Sequence, residues 1–152
     1  SALSRRLEIE MAASAELLLV ETTVFGRLAM GESVEQAQFR DRWRVRVGDR
    51  LVHAEEFCIG PDMAAQLNSR AVTDGALAIA TILMIGKQPE RHLDKARAVV
   101  GEDGGCSITE TAGVAKLLIR LMAPDSYSLR KRLVPLLTLL NGKAQLPKVW
   151  SI

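Results

Sequence analysis

QFRDRWRVRVGDRLVHAEEFCI, residues 38–59, reads as one β-hairpin with two unlike faces. Alternate side chains of an extended strand share a face. Arg40, Arg42, Arg44 and Arg46 therefore line one side of the first strand, and Phe39, Asp41, Trp43, Val45 and Val47 the other. Gly48-Asp49, with glycine at the first central position, carries the signature of a two-residue type II′ turn. If that turn alone sets the register, Arg42 faces Glu55, Arg44 faces His53, and Asp41 faces Glu56. Two carboxylates opposed on a buried face destabilise a sheet unless a proton, a cation or a partner group relieves them. A β-bulge that shifts the register, or an ion pair from one carboxylate to an arginine, would relieve them as well.

Outward from the hairpin, residues 5–11 alternate as a strand should, and 16–25 (ELLLVETTVF) form an apolar, β-branched run suited to a strand covered on both faces. Glu21 sits in the middle of that run. Gly26 to Gly31 reads as a loop, Gly60-Pro61-Asp62 breaks the return strand, and Met63–Asn68 makes one or two helical turns. Residues 76–85 are a short apolar run expected as a buried strand. Pro89, Glu90 and Gly101 bracket a helix whose apolar stripe is Leu93, Ala96 and Val100. A glycine-rich loop, 101–105, leads to a strand at 115–123. Asp125 or Ser126 then caps a helix that ends at Asn141-Gly142, with Pro135 expected to kink it or delay its regular part. Trp150 anchors the tail. The expectation is an α+β fold: a β-rich first part with a long hairpin, about 38–59, then strand–helix–strand–helix, with 1–152 forming a single domain or part of one.

Composition narrows the classes. The 152 residues suffice for one domain with a real core, and 48% hydrophobic with 25% charged residues is ordinary for a soluble protein. A net charge of +2 argues by itself for neither nucleic acid nor membrane. The longest apolar stretch, Gly75–Gly86, is about half of the ~20 residues that a spanning helix needs. Cys58 and Cys106 lie far apart, in no metal or redox spacing, which favours a reducing cytoplasm. The chain shows no charged-then-apolar leader, and Ser1 followed at once by a strand pattern is expected of a chain that begins inside a larger protein.

Enzyme signatures are not found: no GxxxxGK[ST] phosphate loop, no HExxH and no G-x-S-x-G elbow. The stripe Arg40, Arg42, Arg44 and Arg46 could dock an acidic protein or a nucleic acid. It lacks exposed aromatics for base stacking, so protein is the better occupant, and a solvated sheet face is the plainer account. Glu21, Asp41 and Glu56 could hold or pass a divalent ion, Cys58 adding a softer ligand on the Glu56 face. Oxygen ligands with a single imidazole would make a weak, transient site. His53 is expected on the arginine face, His92 and the Arg130-Lys131-Arg132 cluster in solvent. A small enzyme using a carboxylate pair is a third reading, and would need one carboxylate of raised pKa in a pocket.

Three segments carry a resemblance: RRLEIEMAASAELLLVETTVFGRLAMGE (5–32), SVEQAQFRDRWRVRVGDRLVHAEE (33–56) and LVPLLTLLNGKAQLPKVW (133–150). Together they resemble the C-terminal half or so of the urease accessory protein UreD family, also called UreH. The resemblance covers essentially the whole chain. It implies a non-enzymatic, cytoplasmic chaperone that joins UreF-like and UreG-like proteins on the urease apoprotein and helps nickel reach the active site. It also implies a mostly β fold with a few helices and an internal passage for nickel, with no tightly bound cofactor. Within that implication, Glu21, Asp41 and Glu56 are the expected passage carboxylates, and the arginine stripe is the expected partner surface. The alternative remains a basic hairpin module that binds nucleic acid or an acidic protein.

Overall fold

The computed structural model describes residues 2–25, 38–59 and 77–141. Its strands are β1 (Ala2–Met11), β2 (Leu17–Phe25), β3 (Gln38–Val47), β4 (Arg50–Ile59), β5 (Leu77–Ile85), β6 (Gly104–Thr111) and β7 (Val114–Ala123). Its helices are α1 (Leu93–Val100) and α2 (Ser126–Asn141). The strands form a three-stranded sheet of order β1-β3-β4 and a four-stranded sheet of order β2-β5-β7-β6. The chain divides into two compact units, one of Ser1–Ala15, Phe25–Leu77 and Glu110–Val114, the other of Glu16–Val24, Ala78–Thr109 and Ala115–Ile152. The α+β class and the order of elements agree with the expectation from sequence. The loop at 26–31, the turns at 60–68, Gly142 and the tail with Trp150 lie outside the described residues.

In the first unit β1 runs parallel to β3 with Leu7 beside Trp43, Ile9 beside Val45 and Met11 beside Val47. Its alternation is plain: Ser4, Arg6, Glu8 and Glu10 are exposed, and Arg5, Leu7, Ile9 and Met11 half-buried. The β3–β4 turn forms as its sequence requires, with Gly48 at φ 60° and Val47 paired to Arg50. One residue further, the register shifts at Val45/Arg46. Val45 pairs with His53 and Arg46 with Leu51, which leaves Val52 as the extra residue of a β-bulge. A shift of one residue exchanges the faces of everything beyond it.

The second unit holds the larger apolar core. β5 is buried on both sides, and its Ala78, Ala80 and Ile82 pack with Leu117, Ile119 and Leu121 of β7 beneath the two helices. The helices contribute Ala96 and Val100 from α1 and the stripe Leu129, Leu133, Leu136, Leu137 and Leu140 from α2. Each such leucine withdrawn from water contributes roughly 1.5–3 kcal/mol. Pro89–His92 makes a 3-10 turn that leads into α1, and Gly101, at φ 59°, stops it. Asp125 caps α2: the Ser128 backbone N–H donates to its Oδ1 at 2.6 Å, which holds its carboxyl below the usual carboxylate range. α2 runs through Pro135, whose side chain is exposed. Arg132 ties the helices together by donating to the Val99 and Val100 carbonyls at 2.9 and 3.3 Å and pairing with Asp103 at 3.1 Å.

One strand is additional to the sequence reading. Residues 104–111 were expected partly as loop, yet they form β6, a largely exposed strand at the end of its sheet from which only Cys106 and Ile108 reach the core. Gly104 is required there, because a Cβ on it would run into the Arg120 carbonyl oxygen. The turn to β7 places both Ala112 and Gly113 at positive φ, 54° and 78°, which is the pattern of a type I′ hairpin.

Candidate functional site

Most of the residues singled out from the sequence lie on the two faces of the first sheet, and Glu21 lies in β2 of the other sheet. Rows of aligned residues define the two faces. On the buried face run Arg5–Asp41–Phe57, Leu7–Trp43–Glu55 and Ile9–Val45–His53. On the opposite face run Arg6–Arg42–Glu56, Glu8–Arg44–Ala54 and Glu10–Arg46–Leu51, with Arg40 beside Cys58. This corrects the pairing expected from the turn alone: Asp41 faces Phe57, not Glu56, and Arg42 faces Glu56, not Glu55. The bulge inserts Val52 on the buried side, so everything C-terminal to it changes face.

Both devices that relieve opposed carboxylates are therefore present. The bulge removes Glu56 from the buried face, and Asp41 pairs with Arg5 at 3.5 Å. Of the three expected passage carboxylates, Asp41 is buried in the first sheet, Glu56 is exposed on its other face, and Glu21 is half-buried in β2 of the second unit. Asp41 and Glu56 are not brought together. Cys58 leaves with Glu56 and is exposed.

His53 takes the opposite path. Expected beside the arginines, it is buried, with Nε2 3.8 Å from Oε2 of Glu55. A signal for this was present in the sequence. Val52 and Phe57 are both large and apolar but of opposite parity, so a regular β4 cannot place both on one face. A bulge between them can.

The arginines also differ among themselves. Arg44 is half-buried, and its guanidinium donates to the backbone carbonyls of Trp43 (2.8 Å) and Glu55 (3.2 Å), so it braces the sheet. Arg40 and Arg46 are exposed and Arg42 half-exposed. Among the described residues none of the four forms an ion pair, although Glu8, Glu10 and Glu56 stand in neighbouring rows. Elsewhere, burial pushes the Cys106 thiol up against the opposing pull of Arg97, which keeps it protonated and a poor nucleophile at neutral pH. No helix among the described residues is long and apolar enough to cross a membrane.

Fold and faces together describe a β-rich α+β protein that carries charged residues on both faces of one bulged hairpin sheet. The chain belongs to the family of the UreD urease accessory protein, whose pattern matches residues 1–151. It is similar to urease accessory protein UreD 1 of Brucella melitensis, 60% identical over 152 residues that make up all of this chain and 54% of the relative. UreD of Brucella suis matches at the same identity and coverage, and UreD of Mesorhizobium japonicum at 52% identity over 152 residues, again 54% of its length. The chain thus spans about half the length of the curated relatives it matches.

Proposed function

We propose that the chain is part of a non-catalytic urease-maturation protein that assists nickel incorporation into the urease apoprotein. In this reading it works in the cytoplasm with UreF-like and UreG-like partners, and nickel is its transient cargo. The match to the UreD family over residues 1–151 carries the proposal. The faces of the hairpin sheet support it. Arg40, Arg42 and Arg46 offer positive charge to an acidic partner surface, and the buried face offers nitrogen and oxygen donors to a divalent ion.

A nucleic-acid partner fits that surface less well. Glu8, Glu10 and Glu56 are interspersed with the arginines on one face, where a polyphosphate backbone needs continuous positive charge. Reconstitution tests the proposal: urease apoprotein, nickel, GTP and the UreF-like and UreG-like proteins, with and without the full-length protein that contains this chain. Activation should depend on that protein, and charge reversal at Arg40 and Arg46 should weaken its co-purification with partners. Full activation in its absence would overturn the proposal. Tight, steeply salt-dependent binding to any duplex would favour the nucleic-acid reading instead.

A further inference from the structure

We infer that the Arg5–Asp41 ion pair is a register pin: it selects one alignment of β1 on β3 from two that the rest of the two strands cannot tell apart. The pair spans both strands in a single row, with Arg5 Nη2 3.5 Å from Oδ2 of Asp41. The Asp41 side chain is only 9% exposed and that of Arg5 32%. Every other position of the same parity is apolar, 3, 7, 9 and 11 in β1 and 39, 43, 45 and 47 in β3. A slip of one residue would turn those positions outward, so the hydrophobic pattern forbids it. A slip of two residues keeps every position on its own face, and the pattern is indifferent to it.

Moving β1 by two residues towards Gln38 shows what is left to decide the matter. Ile9 would stand beside Trp43 and Met11 beside Val45, apolar on apolar as now. On the outer face the present rows Arg6–Arg42, Glu8–Arg44 and Glu10–Arg46 would become Arg6–Arg40, Glu8–Arg42 and Glu10–Arg44, the same kinds of neighbour. Only one row changes in kind: Arg5 would stand beside Phe39, and Asp41 beside Leu7. A slip the other way would carry Glu10 and Met11 past Val47 into the Gly48-Asp49 turn and shorten the ladder. Moving a buried carboxylate from a guanidinium to a leucine takes away an ion pair that offset its desolvation. Fixing register is the best-attested use of buried polar and ionic groups. The consequence appears on the outer face, where the pin sets Glu10 beside Arg46 and leaves the excess positive charge at the Arg40–Arg42 end of the stripe. This goes beyond the proposed maturation role and does not rest on it.

Cross-linking in the full-length protein that contains this chain reads the register. Aligned residues on neighbouring strands lie ~4.8 Å apart, and an offset of two residues adds ~6.6 Å along the strand, which takes a cysteine pair out of disulfide reach. Glu10→Cys with Arg46→Cys reports the present register, and Glu8→Cys with Arg42→Cys the slipped one, both in a Cys58→Ser background with the linked peptides identified by mass. With Arg5 and Asp41 in place the first link should exceed the second by roughly tenfold or more. Arg5→Met and Asp41→Asn should each erase most of that preference, whereas Arg5→Lys, which keeps the cation, should retain most of it. Asp41→Asn, nearly isosteric, keeps the test alive if Arg5→Met does not fold. Equal links with the pair intact, an unchanged preference in both variants, or as complete a loss with Arg5→Lys as with Arg5→Met would overturn the pin.

Discussion

Two buried sheet faces in this molecule are built on different terms. The helix-covered side of the second sheet is apolar throughout, with Ala78, Ala80, Ile82, Leu117, Ile119 and Leu121 against the leucine stripe of α2. The buried side of the first sheet mixes Trp43, Val45 and Val52 with Asp41 and His53, and with the half-buried Arg5 and Glu55. Burial of the first kind stabilises without needing direction. Burial of the second kind is tolerated only where each charge has a specific partner, and it is there that a ligand has something to bind. The difference is one of composition: one buried face is apolar, and the other holds ionisable side chains with specific partners.

That contrast can be broken by mutation, and the largest effect belongs to the apolar face. Leu133→Ala, at a fully buried position on α2, should cost about 2–5 kcal/mol in chemical denaturation. A loss below about 1 kcal/mol would mean that the core is not where the leucines place it. On the hairpin sheet, Arg5→Met strips Asp41 of its ion partner and should cost about 1–3 kcal/mol. Asp41→Asn in the same background should recover part of that loss, as a double-mutant cycle would register.

Smaller effects sharpen the comparison at its margins. Ala112→Gly relieves a non-glycine residue held at φ 54° and should raise stability by about 0.5–1 kcal/mol. Asp125→Ala should lower the melting temperature by a few degrees at neutral pH, with a definite dependence on acid. The Ser128 N–H holds the Asp125 carboxyl below its ordinary value, so the stabilisation is present above the ordinary carboxylate range. It fades as pH falls through the lowered folded value. Melting temperatures of parent and variant should therefore converge at strongly acidic pH and separate above it.

The legibility of the sequence follows the same division. β1, β2, β5, β7 and both helices could be read because their burial is apolar and periodic, and because Pro89, Gly101 and Asp125 mark helix ends in the usual ways. β6 escaped because GGCSITET lies mostly in solvent and offers little periodicity to read. The hairpin itself was legible, including its Gly48-Asp49 turn, but its register was not, because turn geometry fixes only the first two pairs before the bulge intervenes. Moving one residue out of the ladder exchanged Glu55 with Glu56 and brought His53 inside. A local parity conflict between Val52 and Phe57 was the only trace of it in the sequence.

In the proposed maturation role the buried, not the arginine-lined, face of this sheet serves the ion. Urease activation by the full-length protein with Glu55→Gln, set beside Glu56→Gln, measures it most directly, since the two residues are neighbours in sequence and opposites in the sheet. Impaired nickel-dependent activation with Glu55→Gln and parent-like activation with Glu56→Gln is the predicted result. Equal impairment in both, or impairment with Glu56→Gln alone, would contradict it.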